Sequence, residues 1–267
     1  MNLPINSIIC GDCLEVMKDW PTDCIDLTIT SPPYDNLRDY QGYKFDFEGI
    51  AQQFYRITKQ GGVVVWVVGD QTIDGSETGT SFKQALYFKE IGFNIHDTMI
   101  YLKKGFANPE HVRYHQVFEY MLVFSKGNPK TFNPIKDKLN TCVERRNFGQ
   151  HTQRQQDGSL KVKVGKDKTI SKFGMRYNVW EMKTASQENI CKKNLLHPAQ
   201  FPMALAKDHI ISWSNPDEII LDPMCGSGTT CIAAKLLKRK YIGIDISNEY
   251  CKLSRNRLNN TEEGVFG

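Results

Sequence analysis

Residues 63–68 read Val-Val-Val-Trp-Val-Val, six apolar residues with no polar interruption. A strand with one wet face alternates apolar and polar side chains. An unbroken run therefore predicts a strand covered on both faces, the kind found in parallel sheets flanked by helices. Other short, β-branched runs read as companion strands: Ser7–Cys10, Ile25–Thr30, His96–Leu102, Val117–Phe124, Glu218–Leu221 and Tyr241–Ile244. Apolar residues at helical spacing predict helices over Leu14–Trp20, Ile50–Lys59, Ser81–Ile91, Phe201–Trp213, Thr229–Leu237 and Asn248–Leu258. Gly61-Gly62 reads as the stop of the second of these. Strand and helix alternating at this spacing predict an α/β fold with a doubly wound, mostly parallel sheet.

The pattern dissolves between Gly127 and Val179, where Gln, Asn and Lys are frequent and aromatics are interspersed. A loop this long inside a compact domain is usually functional. Charge singles out the same region. Lys126–Lys193 holds sixteen Lys and Arg against six Asp and Glu, while the whole chain carries only +4, so the remainder is net negative. That asymmetry suits one segment that faces a polyanion.

The 267 residues are enough for one large α/β domain with an elaboration, or for two small domains. The start, Met-Asn-Leu-Pro-Ile-Asn, has no basic region or sustained apolar run, so neither a signal peptide nor a membrane span is expected. The eight cysteines are scattered among strand-like and helix-like segments, which suits a reduced, cytoplasmic protein. Cys10 and Cys13 lack a second pair, and Val112, not Glu, follows the first His of the pair His111 and His115, so no metal site is expected.

Two loops carry chemistry. In Leu221-Asp222-Pro223-Met224-Cys225-Gly226-Ser227-Gly228-Thr229-Thr230, an apolar strand gives way to a helix. Gly226 and Gly228 remove side chains where a ligand lies close to backbone. Asp222 ends one strand and Asp245 the next, where such sheets bind nucleosides. Cys231 stands where a dinucleotide fingerprint needs its third glycine, and no Gly-Lys-Ser/Thr follows, so neither a pyrophosphate loop nor a P-loop is present. An acid before the loop and no lysine within it suit a cationic or zwitterionic ligand. In the second loop, Thr30-Ser31-Pro32-Pro33-Tyr34, two prolines remove N–H donors and leave the Ser31 hydroxyl and Pro32 carbonyl as acceptors. Acceptors placed on both N–H groups of an exocyclic amine localise its lone pair for attack, and Tyr34 offers a plate on which a flipped base can stack.

Together these loops resemble the amino-methylating DNA methyltransferases, whose catalytic motif is Asp/Asn/Ser-Pro-Pro-Tyr/Phe and whose cofactor motif is Asp-Pro-Phe-x-Gly-Ser-Gly-Thr-Thr. The catalytic motif comes first, as in the circularly permuted β group. Gly11-Asp12-Cys13 resembles the segment that meets the cofactor's adenine, His197-Pro198-Ala199-Gln200-Phe201-Pro202 a motif beside its methionine part, and Tyr241–Ile246 the ribose-binding segment. Met224 departs from the usual Phe, and Phe201 from a frequent Lys.

The resemblance implies a seven-stranded S-adenosylmethionine-dependent methyltransferase fold. Residues 1–126 would form the catalytic half, 127–190 a target recognition region and 191–267 the cofactor half. It implies catalytic Ser31, Pro32, Pro33 and Tyr34. S-adenosylmethionine would meet Asp12, Cys13, Ser31, His197, Asp222, Met224, Gly226, Ser227, Gly228, Thr229, Thr230, Asp245 and Ile246. The resemblance further implies a prokaryotic or phage-encoded protein acting on double-stranded DNA in a setting of restriction-modification; a restriction endonuclease partner and a homodimer are left open. Ser31 favours N4 of cytosine; N6 of adenine is the alternative. Carbon-5 methylation needs a nucleophilic cysteine, usually in a Pro-Cys dipeptide, and the chain has none. A nicotinamide oxidoreductase would leave Pro-Pro-Tyr idle, and a catalytically dead DNA reader should have lost one of the two loops.

Overall fold

The computed structural model describes residues 3–33, 45–105, 111–143, 150–164, 169–184 and 202–262. Two compact units emerge: residues 1–133 together with 178–267, and Pro134–Tyr177.

The first unit is built on one sheet. Its strands are β1 (Ser7–Cys10), β2 (Ile25–Thr30), β3 (Thr58–Val68), β4 (Asn94–Lys103), β5 (Phe118–Ser125), β6 (Val179–Met182), β7 (Ile219–Asp222) and β8 (Lys240–Asp245). They lie in the order β1-β8-β7-β2-β3-β5-β4-β6, and only β5 runs antiparallel to its neighbours. The helices among the described residues are α1 (Cys13–Lys18), α2 (Phe47–Ile57), α3 (Thr80–Glu90), α4 (Met203–Trp213), α5 (Thr229–Leu236) and α6 (Asn248–Asn259).

The unbroken apolar run is buried on both faces, as its composition requires. Val64, Trp66 and Val68 enter a cluster with Met17 of α1, Phe54 of α2 and Phe88 of α3. Successive strand residues point to opposite faces, so Val63, Val65 and Val67 look the other way. On that side α4 covers the sheet, with His209 Nε2 lying 3.2 Å from Met121 Sδ beside Val67. Helix starts follow local chemistry: Asp46 accepts from the Gly49 amide at 3.0 Å to cap α2, and Ile50, Ala51, Phe54 and Ile57 form its buried stripe.

Two local expectations are corrected. Gly61-Gly62 does not stop a helix: α2 ends at Ile57, and both glycines lie inside β3. Gly61 has φ 80°, its amide bonds the Lys126 carbonyl, and the β2–β3 register shifts between Ile25 and Leu27, which marks a bulge. The sheet also has eight strands, not seven. The additional one, β6, alternates exposed Val179 and Glu181 with buried Trp180 and Met182 and pairs with β4. Four residues are too few for their period to stand out from the irregular stretch before them.

Gly243 is needed for space. A Cβ there would sit 2.5 Å from Ile8 Cδ1, 2.8 Å from Cys231 Sγ and 3.0 Å from Cys225 Sγ. Gly243→Ala is expected to lower stability by about 1–3 kcal/mol through overpacking. Thermal unfolding checks this, and an unchanged midpoint would contradict it.

The second unit carries two antiparallel ribbons, Gln150–Arg154 with Leu160–Val164 and Lys138–Leu139 with Phe173–Gly174. It spans less of the chain than the 127–190 expected for target recognition, because β6 belongs to the large sheet. The segment 134–177 contains eleven Lys and Arg against four Asp and Glu. Lys138 Nζ lies 4.7 Å from the Tyr177 ring centre and Lys172 Nζ 5.5 Å from that of Phe173.

Candidate active site

Parallel strands bring their carboxyl ends to one edge, and β1, β8, β7 and β2 are consecutive there. The two sequence loops therefore meet. β2 ends at Thr30 and β7 at Asp222, and the Thr30 hydroxyl donates to Asp222 Oδ1 at 2.9 Å, with both residues buried. This bond joins the root of the Ser31-Pro32-Pro33 turn to the root of the glycine loop. Pro32 is buried, while Ser31 and Pro33 are half-buried. Tyr34 and His197 lie outside the described residues.

Asp222 also accepts from the Met224 amide at 3.3 Å, and the Thr230 hydroxyl lies beside the carboxyl but outside hydrogen-bonding geometry. Burial pushes this carboxyl up to about 6, against the opposing pull of its hydrogen bonds. Asp245 ends β8. Its Oδ2 accepts from the Gly226 amide at 2.8 Å and its Oδ1 from the Ser247 amide at 2.9 Å. Burial raises Asp245 as well, and these two bonds oppose the rise. A carboxylate has about four lone-pair sites, so both oxygens of Asp245 keep capacity for a ribose diol.

The glycine loop is held from behind. The Cys225 amide bonds the Ile244 carbonyl at 2.9 Å, Ser254 Oγ donates to the Gly226 carbonyl and Arg257 Nη1 to the Ser227 carbonyl, each at 2.5 Å. Gly228 has φ 80° and caps α5, and a Cβ there would lie 3.0 Å from Ser254. The left-handed backbone and the approach of α6 both disfavour a side chain at this glycine. Thr229 and Thr230 begin α5 and are buried, as is Ser227. Sequence reasoning placed Thr30 in the second loop without giving it a role, and missed Ser254 and Arg257. The last two share a helix face three residues apart, but only the fold brings that face behind the loop.

At the neighbouring strand end, Asp12 caps α1 by accepting from the Leu14 amide at 2.8 Å, and the Gly11 amide bonds the Asp245 carbonyl. Cys13 turns into the core, and burial drives its thiol up to about 12, so a ligand could reach only its backbone. Met224 packs part-buried against the same core. Ile246, 46% exposed, follows Asp245 and leaves an apolar surface at the edge.

The donor set suits a cationic nucleoside. Acids Asp222 and Asp245 flank a loop, 223–230, with no Lys or Arg, an apolar side chain stands open beside the second acid, and the loop is already braced. Residues 25–256 match the DNA methylase family model (N6_N4_Mtase).

The chain belongs to the DNA methylase family.

The orphan methyltransferase M.BamHII of Bacillus amyloliquefaciens is 53% identical to this methylase over 246 residues, which cover 91% of this chain and 92% of that protein. The solved PvuII DNA methyltransferase (cytosine-N4-specific) superposes with a TM-score of 0.67 at 19% identity, covering 96% of this chain and 93% of that one. The M1.HpyAVI–SAM complex gives a TM-score of 0.64 at 24% identity, covering 94% and 99%. Both structures share the methylase's fold. No helix among the described residues is long and apolar enough to cross a membrane.

Proposed function

We propose that this methylase transfers a methyl group from S-adenosylmethionine to N4 of cytosine in double-stranded DNA. The observation that carries the choice of base is Ser31 at the head of a turn that the Thr30–Asp222 bond ties to the glycine loop. A neutral hydroxyl accepts less strongly than the aspartate that resembling adenine enzymes mainly carry there.

Held by Asp12, Asp222, Asp245, Ile246 and the 224–230 loop, S-adenosylmethionine supplies an electrophilic sulfonium methyl. The chain supplies position and hydrogen bonds. Ser31 and the Pro32 carbonyl accept from the amino group of the flipped base, which turns its lone pair out of the ring plane. Tyr34 stacks on that base. The amino nitrogen would bond to the methyl carbon as the sulfur–methyl bond breaks and its electron pair returns to sulfur, leaving the neutral thioether, and the nitrogen would then lose its proton to solvent.

Nucleoside mass spectrometry on DNA from cells expressing the protein tests the base. N4-methylcytosine that vanishes in Ser31→Ala is the expected result. N6-methyladenine would overturn the choice of base and keep the enzyme class.

The basic 134–177 unit is read as the DNA-gripping part, with its lysines and arginines on phosphates and its ribbons toward base edges. Its contacts should make binding fall with salt at a log–log slope of about −0.9 per phosphate neutralised. Fluorescence anisotropy between low and physiological salt measures this, and a flat response would remove the unit from the interface.

A further inference from the structure

The ligand-facing edge carries a feature outside both motif loops. Thr30 is in register with Trp66, and Trp66 with Leu122, whereas β5 begins at Phe118 opposite Leu102 of β4. The β4–β5 wall thus stands four residues above Thr30, about 13 Å. The Lys103 amide bonds the Val117 carbonyl at 2.7 Å and closes the base of the connection. Within it, Arg113 donates to the Gly75 carbonyl at 2.6 Å and to the Thr72 hydroxyl at 3.3 Å. This clamps the segment to the ribbon after β3, Thr72–Ile73 with Ser76–Glu77. On either side of the clamped arginine, Val112 is 88% and Tyr114 98% exposed, the two most exposed large apolar side chains among the described residues.

We propose that Tyr114, with Val112 beside it, is a wedge that enters the DNA duplex where the target nucleotide has swung out. The inference rests on the base-flipping reading of the Ser31–Pro33 turn and deepens it. Removing a base leaves two stacking faces unpartnered, and an inserted apolar or aromatic side chain covers them. The position fits. The wall rises above the turn that receives the base, on the side from which a duplex reaches the strand ends. The Arg113 side chain ties the segment to the ribbon, which reduces the chain freedom lost when the ring inserts.

Labelled S-adenosylmethionine and plasmid DNA give the activity of the wild type, and mapping the modified positions gives the target site. Methyl transfer is then measured on a duplex bearing that site and on the same duplex lacking the base opposite the target. Tyr114→Ala should lose about ten- to hundredfold in kcat/KM on the intact duplex and less than about threefold on the gapped one, where flipping is already cheap. Tyr114→Trp should retain activity on both. Equal losses on the two duplexes, or no loss on either, overturn the wedge. Equal losses accompanied by a dimer-to-monomer shift in light scattering would instead make Tyr114 a contact between copies. No methyl transfer by the wild type would sink the base-flipping reading along with the inference, whereas normal wild-type transfer with equal Tyr114→Ala losses would sink the inference alone.

Discussion

Asp222→Asn is expected to make the ligand-free protein more stable at neutral pH while removing most of its cofactor affinity. Burial raises the Asp222 carboxyl to about 6, above its ordinary 3.8. Between those values the folded protein binds a proton that the unfolded chain does not, so stability falls as pH rises through the window. The buried charge works against folding at pH 7 by about 3 kcal/mol. Asparagine keeps an oxygen to accept from the Thr30 hydroxyl and the Met224 amide without that charge. The variant should therefore unfold at a higher temperature than the wild type at pH 7, and the gap should close toward pH 4. Losing the carboxylate should weaken binding of the cationic cofactor about ten- to hundredfold, measured by titration calorimetry. A variant less stable than the wild type at pH 7 would mean that the carboxylate is held by more than these hydrogen bonds. With the expected result, higher stability and weaker binding, function explains why a destabilising charge is kept where the two strand ends meet.

Tyr34→Ala should separate binding from chemistry in the opposite way. The residue follows the Pro-Pro pair in the sequence and is not one of the acids or glycine-loop residues proposed to hold the cofactor. Stacking of a base on an aromatic ring is worth about 1–3 kcal/mol, so methyl transfer should drop about ten- to hundredfold. Cofactor affinity should stay within about twofold, because none of the residues proposed to hold the cofactor is changed. Tyr34→Phe should restore turnover, since the ring and not the hydroxyl does the stacking. Near-normal turnover in the alanine variant would remove the stacking role.

Which parts of this were open to reading from sequence follows from the range of the forces involved. Strand β3 was legible because burial on both faces dictates an unbroken apolar run. The two motif loops were legible because short-range backbone requirements, two prolines in one and two glycines in the other, write themselves into adjacent residues. Gly61-Gly62 misled because a glycine pair ends a helix or bends a strand equally well. Which happens depends on a hydrogen bond to Lys126, sixty-five positions away. β6 escaped because its reason for being extended is an open sheet edge at β4, not its own four residues.

The sequence by itself determined the fold class, the loop chemistry and the order of the motifs, because these depend on local periodicity and on residue types that few other roles tolerate. Only the tertiary structure decided how the loops are coupled. The Thr30–Asp222 hydrogen bond joins residues 192 positions apart, and Ser254 and Arg257 brace the glycine loop from a helix beyond it. It also decided that Gly228 answers to Ser254 and that Cys13 faces the core. Such contacts arise when parallel strands gather their carboxyl ends, and a linear pattern carries no record of which distant side chains that gathering will bring within hydrogen-bonding reach.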